Sequence, residues 1–258
     1  MRTIEKILKY YELVMTYEDT SKYINYEIPK DYHIEFYKEG DEKDWVNIHI
    51  NSGEFTSYEK GLQYFNDFFN HFKDELNKRC FFIVNDKNEK IATATISLLE
   101  SKEDSYEAAV DWVAITEEYQ GKKLAKPLIS YFIKLANRLG HKKLILHTQT
   151  HTWLAAKLYL DFGFKPYKVN ENMFGWQILK TITNHPILNE IKSIREEEMY
   201  SKTAIKIVNE LEKIHKQKFN YEIWYNDGKN DVFVYDFNNY YEYKYYKEND
   251  NIILERVK

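Results

Sequence analysis

Residues 108–126 read AAVDWVAITEEYQGKKLAK, and no other stretch limits the fold as sharply. Residues 108–115 predict a strand with Val110, Trp112 and Ala114 on one face and Asp111, Val113 and Ile115 on the other. Residues 116–120 predict a turn, and a helix should run from Gly121 to Leu139, where Gly140 stops it. Strand, turn and helix in that order demand a layered α/β arrangement. The first backbone N–H groups of such a helix have no helical partner and lie at the positive end of its dipole, where an anion can bind. Gly121 would let a ligand approach the backbone, and Lys122 and Lys123 would charge the rim. Taken alone, the same pattern also serves simply to connect two layers.

The rest of the chain narrows the class. A length of 258 residues can bury a substantial core as one large domain or a domain with an appendage. The formal net charge is -4 and no long basic block occurs, which counts against nucleic-acid binding. Cys80 is the single cysteine, so an intrachain disulfide and a multi-cysteine zinc site are excluded, and a reducing compartment is the expectation. The histidines are scattered without metal-ligand spacing, so no metal is expected. The N-terminal residues lack the apolar centre of a signal peptide and no segment approaches a membrane span, so the sequence reads as cytoplasmic. The 23 tyrosines can cover half-buried surfaces while their hydroxyls reach water.

In chain order, residues 4–15 predict a short amphipathic helix or packing arm, within an arm spanning 1–30. Residues 32–37 alternate as a strand. Asp41 is placed to cap a helix through Trp45, Ile48 and His49, and Ser57 to cap the next. Leu62, Phe65, Phe68, Phe69 and Phe72 recur at helical spacing and read as core. Residues 80–84 and 91–98 predict a β-hairpin, with a polar loop at 100–106. Pro127 inside the helix from Gly121 should cost a hydrogen bond and bend it. Strands follow at 143–148, 164–169 and 173–179, with a helix at 152–162. A main domain thus covers 31–183. Asn184–His185–Pro186 breaks the pattern, and residues 184–258 predict an α+β appendage: helices at 187–199 and 203–217, an Asp227–Gly228 turn, and strands at 221–225, 231–237, 240–246 and 251–257.

Two motifs in order carry a resemblance. The first is Gln120-Gly121-Lys122-Lys123-Leu124-Ala125; the second is Ala155-Ala156-Lys157-Leu158-Tyr159-Leu160-Asp161-Phe162-Gly163-Phe164. Together they resemble the GCN5-related N-acetyltransferase (GNAT) superfamily, with its Q/R-x-x-G-x-G/A turn and A-x-x-x-Y-x-x-x-G-F segment. The likeness covers about residues 32–179, and the flanking segments are similar to a bacterial group of undefined substrate. It implies a mixed, mostly antiparallel α/β (α+β) sheet splayed between its fourth and fifth strands, with the appendage outside the likeness. Lys123 stands where the family usually has a second glycine, and Thr152 where it often has asparagine.

The resemblance further implies acetyl-CoA as cofactor, its diphosphate on the N–H groups of Gly121, Lys122, Lys123, Leu124 and Ala125, with Gln120, Thr152 and Ala155 completing the motifs. Its pantetheine arm would run beside Trp112, Val113 and Ala114. A primary amine would attack the thioester directly in a ternary complex. Tyr159 is the candidate acid; Asp111 and His147 are candidate bases, histidine being the side chain type whose free imidazole titrates nearest neutrality. Gln149, Thr150 and Trp153, and Glu54 and Tyr58 between the first two helices, are candidates for orienting the acceptor, a small molecule in preference to a protein. Cys80 reads as an inert core thiol and His185 as a junction residue. A homodimer is compatible with the family. The rival reading is a catalytically inactive GNAT-fold module that binds CoA or a protein partner.

Overall fold

The computed structural model describes residues 7–55, 57–103, 106–216, 231–236, 239–249 and 251–257. They form two units: a larger one of Val14–His147 and Leu158–Tyr167, and a smaller one of Met1–Leu13, Thr148–Lys157 and Lys168–Lys258.

The larger unit is built on strands β1 (Glu12–Tyr17), β2 (Tyr32–Phe36), β3 (Cys80–Asn85), β4 (Lys90–Glu103), β5 (Tyr106–Ile115), β6 (Leu144–Gln149) and β7 (Lys165–Tyr167). They make a seven-stranded sheet in the order β2-β3-β4-β5-β6-β1-β7. Neighbours β2/β3, β3/β4, β4/β5 and β1/β7 are antiparallel, while β5 and β6 are parallel. That parallel pair keeps a single matched position, Ala109 with Ile145, so the sheet opens there. These are the strands expected to splay, counted one higher because β1 precedes them.

β3 and the hairpin-connected part of β4 are buried on both faces, which explains their near-continuous apolar run. One face carries helices α1 (Glu42–Asn51) and α2 (Tyr58–Phe69). Trp45, Ile48, Phe65, Phe69 and Phe72 close over Cys80, Phe82, Val84 and Ala114 there. Each such side chain contributes roughly 1.5–3 kcal/mol of burial energy. A four-residue helix, α3 (Leu76–Arg79), leads into β3. The other face meets helix α4 (Ala125–Arg138), whose Tyr131 ring lies 4.7 Å from Phe81. Helix α5 (Trp153–Asp161) follows β6.

Several local expectations are corrected. Residues 12–17 are a strand: Leu13, Val14, Met15 and Tyr17 are all buried, so the run has no polar face and its period is unreadable. Strand β4 continues through the supposed loop as far as Glu103, opposite Tyr106. Asp41 does precede α1, but its carboxylate makes no cap; it accepts from the Lys38 N–H and pairs with Lys90, which also holds Asp44 at 2.9 Å. Ser57 caps α2 as expected, accepting from the Lys60 N–H at 3.3 Å. Helix α4 starts at Ala125, not Gly121. Pro127 therefore stands in the first turn, where its missing N–H has no helical acceptor, and no hydrogen bond is lost.

In the smaller unit, residues 173–183 form helix α6 (Met173–Thr183) in place of the expected strand; Phe174, Ile178 and Ile182 share one face at helical spacing. Residues 187–199 hold a 3-10 turn at Pro186–Leu188 and only a short α7 (Glu196–Met199). Helix α8 (Lys202–His215) is present as predicted, capped by Ser201. Strands β8 (Asp231–Asp236), β9 (Asn239–Glu248) and β10 (Asn251–Arg256) form an antiparallel sheet in the order β10-β9-β8. Ile207, Val208 and Leu211 of α8 pack on Val232, Tyr243, Tyr245 and Ile252. The strand expected at 221–225 and the Asp227–Gly228 turn lie outside the described residues. No helix among the described residues is long and apolar enough to cross a membrane.

Candidate functional site

The turn after β5 has a backbone suited to an anion. Gly121 takes φ +77° and Lys123 φ +64°, with Lys122 between them. Lys123 at positive φ is followed by right-handed Leu124 (φ -84°, ψ -21°), a change of hand that turns successive N–H groups toward one side, as in an anion nest. Helix α4 then begins with no side-chain cap, and the Leu128 N–H is the one that returns to the Leu124 carbonyl. Gly121 is exposed, and a Cβ built on it would meet no atom within 4 Å, so the space before the turn is open. Gly121, Lys122, Lys123, Leu124 and Ala125 thus share one open turn. The diphosphate of a CoA fits this chemistry.

The side chains of the turn brace it. Gln120 donates from its amide to the Ile115 carbonyl at 3.1 Å. The Lys122 ammonium lies 4.1 Å from the centre of the Tyr119 ring, and Tyr119 accepts from the Asn85 amide at 2.7 Å. Lys123 occupies a position that favours glycine and adopts the backbone a glycine would adopt.

On β5 the expected alternation fails. Thr93 opposes Ala114 and Thr95 opposes Asp111, so Ala94 faces both Trp112 and Val113 in a β-bulge. Trp112 has φ +55°. The bulge brings Trp112 to the α1/α2 side of the sheet, the side also occupied by Ala114. It also takes the backbone of Trp112 and Val113 out of regular pairing, so β5 has N–H and C=O groups to offer at the point where β6 departs.

Asp111 is half-buried and lies beside Ser97 and His147; burial raises its pKa, and the Ser97 hydroxyl and the His147 charge hold the rise back. Tyr159 has a buried ring, packed 5.7 Å from Phe164 and 6.4 Å from Phe132. Its pKa is raised, first by burial and then by the negative charge of Asp111. The structure therefore brings Tyr159, Asp111 and His147 into one electrostatic neighbourhood, with the phenol protonated.

Other candidates went elsewhere. Thr150 is a structural clasp: it accepts from the Tyr11 N–H at 3.0 Å and donates to the Lys9 carbonyl at 2.6 Å. Trp153 packs against Leu8 and Ile178. Thr152 belongs to the smaller unit, and its hydroxyl bonds the Thr148 hydroxyl at 3.0 Å and the Gln149 carbonyl. Ala155 is in the same unit and partly exposed. Burial pushes the Cys80 thiol up to about 11, the state of an inert core thiol. His185 accepts from the Ile187 N–H at 3.2 Å and so caps the Pro186–Leu188 turn within the smaller unit. Tyr58 is exposed, and burial raises the pKa of half-buried Glu54.

Phe55 and Tyr64 join the site without a sequence expectation, and Phe68, expected in the core, lies at its edge. Phe68 is partly exposed and stacks on Tyr64, 5.7 Å away at 19°. The i, i+4 spacing of Tyr64 and Phe68, offset from Phe65 and Phe69, was the available signal.

A family model described as "Acetyltransferase (GNAT) family" matches residues 27–164, more than half of the chain. Among solved structures, a GCN5-related N-acetyltransferase from Sphaerobacter thermophilus is similar at a TM-score of 0.50 and 14% identity, over 62% of this chain and 49% of that one. A GNAT-family acetyltransferase from Colwellia psychrerythraea is similar at a TM-score of 0.48 and 16% identity, over 63% of this chain and 56% of that one. The chain thus spans about half the length of these structures, and at 14% identity the likeness to the first concerns the fold. No curated protein matches the chain.

Proposed function

This chain belongs to the GNAT acetyltransferase family, and from that premise we propose that it transfers an acetyl group from acetyl-CoA to a primary amine by direct attack in a ternary complex. The family acts on amine acceptors with acetyl-CoA in general; the assignment of steps to residues is our own reading. The observation that carries it is the open, uncapped turn at Gly121–Lys123, placed directly after a strand that bulges at Trp112 and parts from β6.

Acetyl-CoA supplies the acetyl group as a thioester. The N–H groups of Gly121 to Ala125 hold its diphosphate, and the bulged backbone of β5 at Trp112 to Ala114 takes the amide-bearing arm. The amine arrives as an ammonium and must lose a proton before its lone pair can attack. Asp111 accepts that proton, directly or through water; its raised pKa makes it a stronger base than an exposed aspartate. His147, beside it on β6, is the second candidate base. The Val113 N–H donates toward the acyl oxygen as negative charge develops there. Tyr159 keeps its proton at Oη and delivers it to the departing sulfur, and the second proton that the nitrogen loses as the amide forms returns to Oη, directly or through water. When Asp111 takes up the amine's proton its negative charge is neutralised, which removes one of the two causes that raise the Tyr159 pKa. The base step thereby eases the acid step.

The test is release of free thiol from acetyl-CoA over a panel of primary amines, with calorimetric titration of CoA. Turnover with at least one amine, together with CoA binding that Gly121→Glu abolishes, supports the reading. Binding of CoA without thiol release across amines and pH would favour an inactive CoA-binding module.

A further inference from the structure

The α1/α2 side of the bulge carries a wall of rings. Phe55 stacks on Trp112 with centroids 5.4 Å apart and planes 18° apart. Tyr64 stacks on Phe68, and the two stacks meet edge to face where Tyr64 approaches Trp112 at 4.7 Å. All four rings are only partly covered; Tyr64 is 40% exposed. Two half-buried carboxylates neighbour these rings in sequence, and Asp111 also in space. Asp111 precedes Trp112 and its charge reaches the Tyr64 hydroxyl, while Glu54 precedes Phe55. Neither makes an ion pair with a lysine or arginine among the described residues, and burial raises the pKa of both. Partly desolvated carboxylates are costly, His147 offsets only part of that cost at Asp111, and a bound ammonium would relieve more of it. Aromatic faces attract the same charge and also bury an apolar body.

We infer that the acceptor is a primary ammonium carried on a flat apolar body, held by Phe55, Tyr64, Phe68 and Trp112 with Asp111 at the charged end. A polyamine would need carboxylates spaced along its length, and an amino sugar would need hydroxyl partners; the wall presents rings. The inference relies on the acetyl-transfer reading only for the point to which the amine is delivered.

The experiment titrates 2-phenylethylamine, spermidine and glucosamine into the full chain in the presence of CoA, by calorimetry, and runs the same amines in the thiol-release assay. The expected result is binding of 2-phenylethylamine about tenfold tighter than the other two. Phe55→Leu and Tyr64→Leu should each weaken it about fivefold, with CoA affinity and the far-ultraviolet dichroism spectrum unchanged. Tyr64→Phe should retain most of the affinity. Equal or tighter binding of spermidine or glucosamine, or indifference to both leucine variants in folded protein, overturns the inference. If another amine class is acetylated with the higher kcat/KM, the transfer reading stands and this inference falls. Ring-dependent binding of 2-phenylethylamine without thiol release at any pH leaves this inference standing and removes the transfer reading.

Discussion

Tyr159 and Asp111 are electrostatically coupled: burial first, and the Asp111 charge second, raise the pKa of the phenol. A tyrosine so placed donates a hydrogen bond or a proton at neutral pH. Tyr159→Phe is expected to lower kcat by about 10²–10⁴-fold and to leave CoA affinity within about threefold, since the lost interaction belongs to the transition state. Asp111→Asn removes the negative charge, so the Tyr159 pKa falls and the alkaline limb of the kcat profile moves to lower pH. The acid limb, which reports the raised Asp111 pKa, should vanish in that variant if Asp111 is the base; if it persists, His147 is. Profiles of wild type and Asp111→Asn that superimpose would show that neither residue acts as assigned.

Lys123 tests the anion turn. A lysine in left-handed backbone is disfavoured by about 1–2 kcal/mol, partly offset in a glycine variant by its greater unfolded-state entropy. Lys123→Gly should therefore raise stability by up to about 1 kcal/mol, while the N–H groups that face the diphosphate stay in place. Its CoA affinity should fall by no more than about fivefold, the loss of one exposed point charge. Lys123→Val, β-branched at a positive φ, should lose more than about 1 kcal/mol of stability and weaken CoA binding severely. Thermal unfolding and calorimetry read both. Equal affinity in the valine and glycine variants would remove this turn from the diphosphate site.

What the sequence disclosed follows from where each signal resides. The turn at 120–125 and the tyrosine segment at 155–164 are contiguous, so their spacing carried the geometry directly. The hairpin of β3 and β4, the Ser57 cap and the core positions Phe65, Phe69 and Phe72 were equally local. The bulge was hidden, because nothing about tryptophan announces φ +55°. It is imposed by pairing with β4 and by the aromatic nest that receives the ring. Strand β1 and helix α6 were misread because both are apolar on most sides, and periodicity needs a polar face to be visible. The grouping of Glu54, Phe55, Tyr64 and Trp112 required two helices and a strand to meet.

His49 lies 1% exposed at the end of α1, its ring 4.2 Å from Trp45 and 5.1 Å from Trp112, with neither ring nitrogen hydrogen-bonded. Burial pushes its pKa down to about 3 from the ordinary 6.5. The unfolded chain takes up a proton below about 6.5 that the folded chain resists. The stabilising contribution is thus whole above that pH and is lost as pH falls toward about 3, at about 1.4 kcal/mol per unit. At pH 5 the loss is about 2 kcal/mol. His49→Leu should flatten this part of the acid dependence and, by removing an unpaired buried polar group, stabilise the fold at pH 7 by about 1 kcal/mol. Tm measured from pH 7.5 to 4.5 for both proteins gives the answer, and parallel curves would show that His49 finds a partner in solution.

Gly61 sets the distance between α1, α2 and the ring wall. A Cβ there would stand 2.7 Å from Val46 Cγ1 and 3.2 Å from Phe55 Cδ2. Alanine favours a helix over glycine by about 1 kcal/mol, while overpacking of a closed core costs about 1–3 kcal/mol. Val46 is fully buried and β-branched, so it has no alternative rotamer to adopt cheaply; Phe55 is partly exposed and can move. The overpacking cost therefore wins: Gly61→Ala should lower stability by about 1 kcal/mol and tilt Phe55 off Trp112. The KM for 2-phenylethylamine should then rise while CoA affinity holds, because the turn proposed for the diphosphate precedes a different helix. A higher Tm, as helix propensity alone dictates, would mean that Val46 and Phe55 yield freely and that the ring wall is not fixed by this contact.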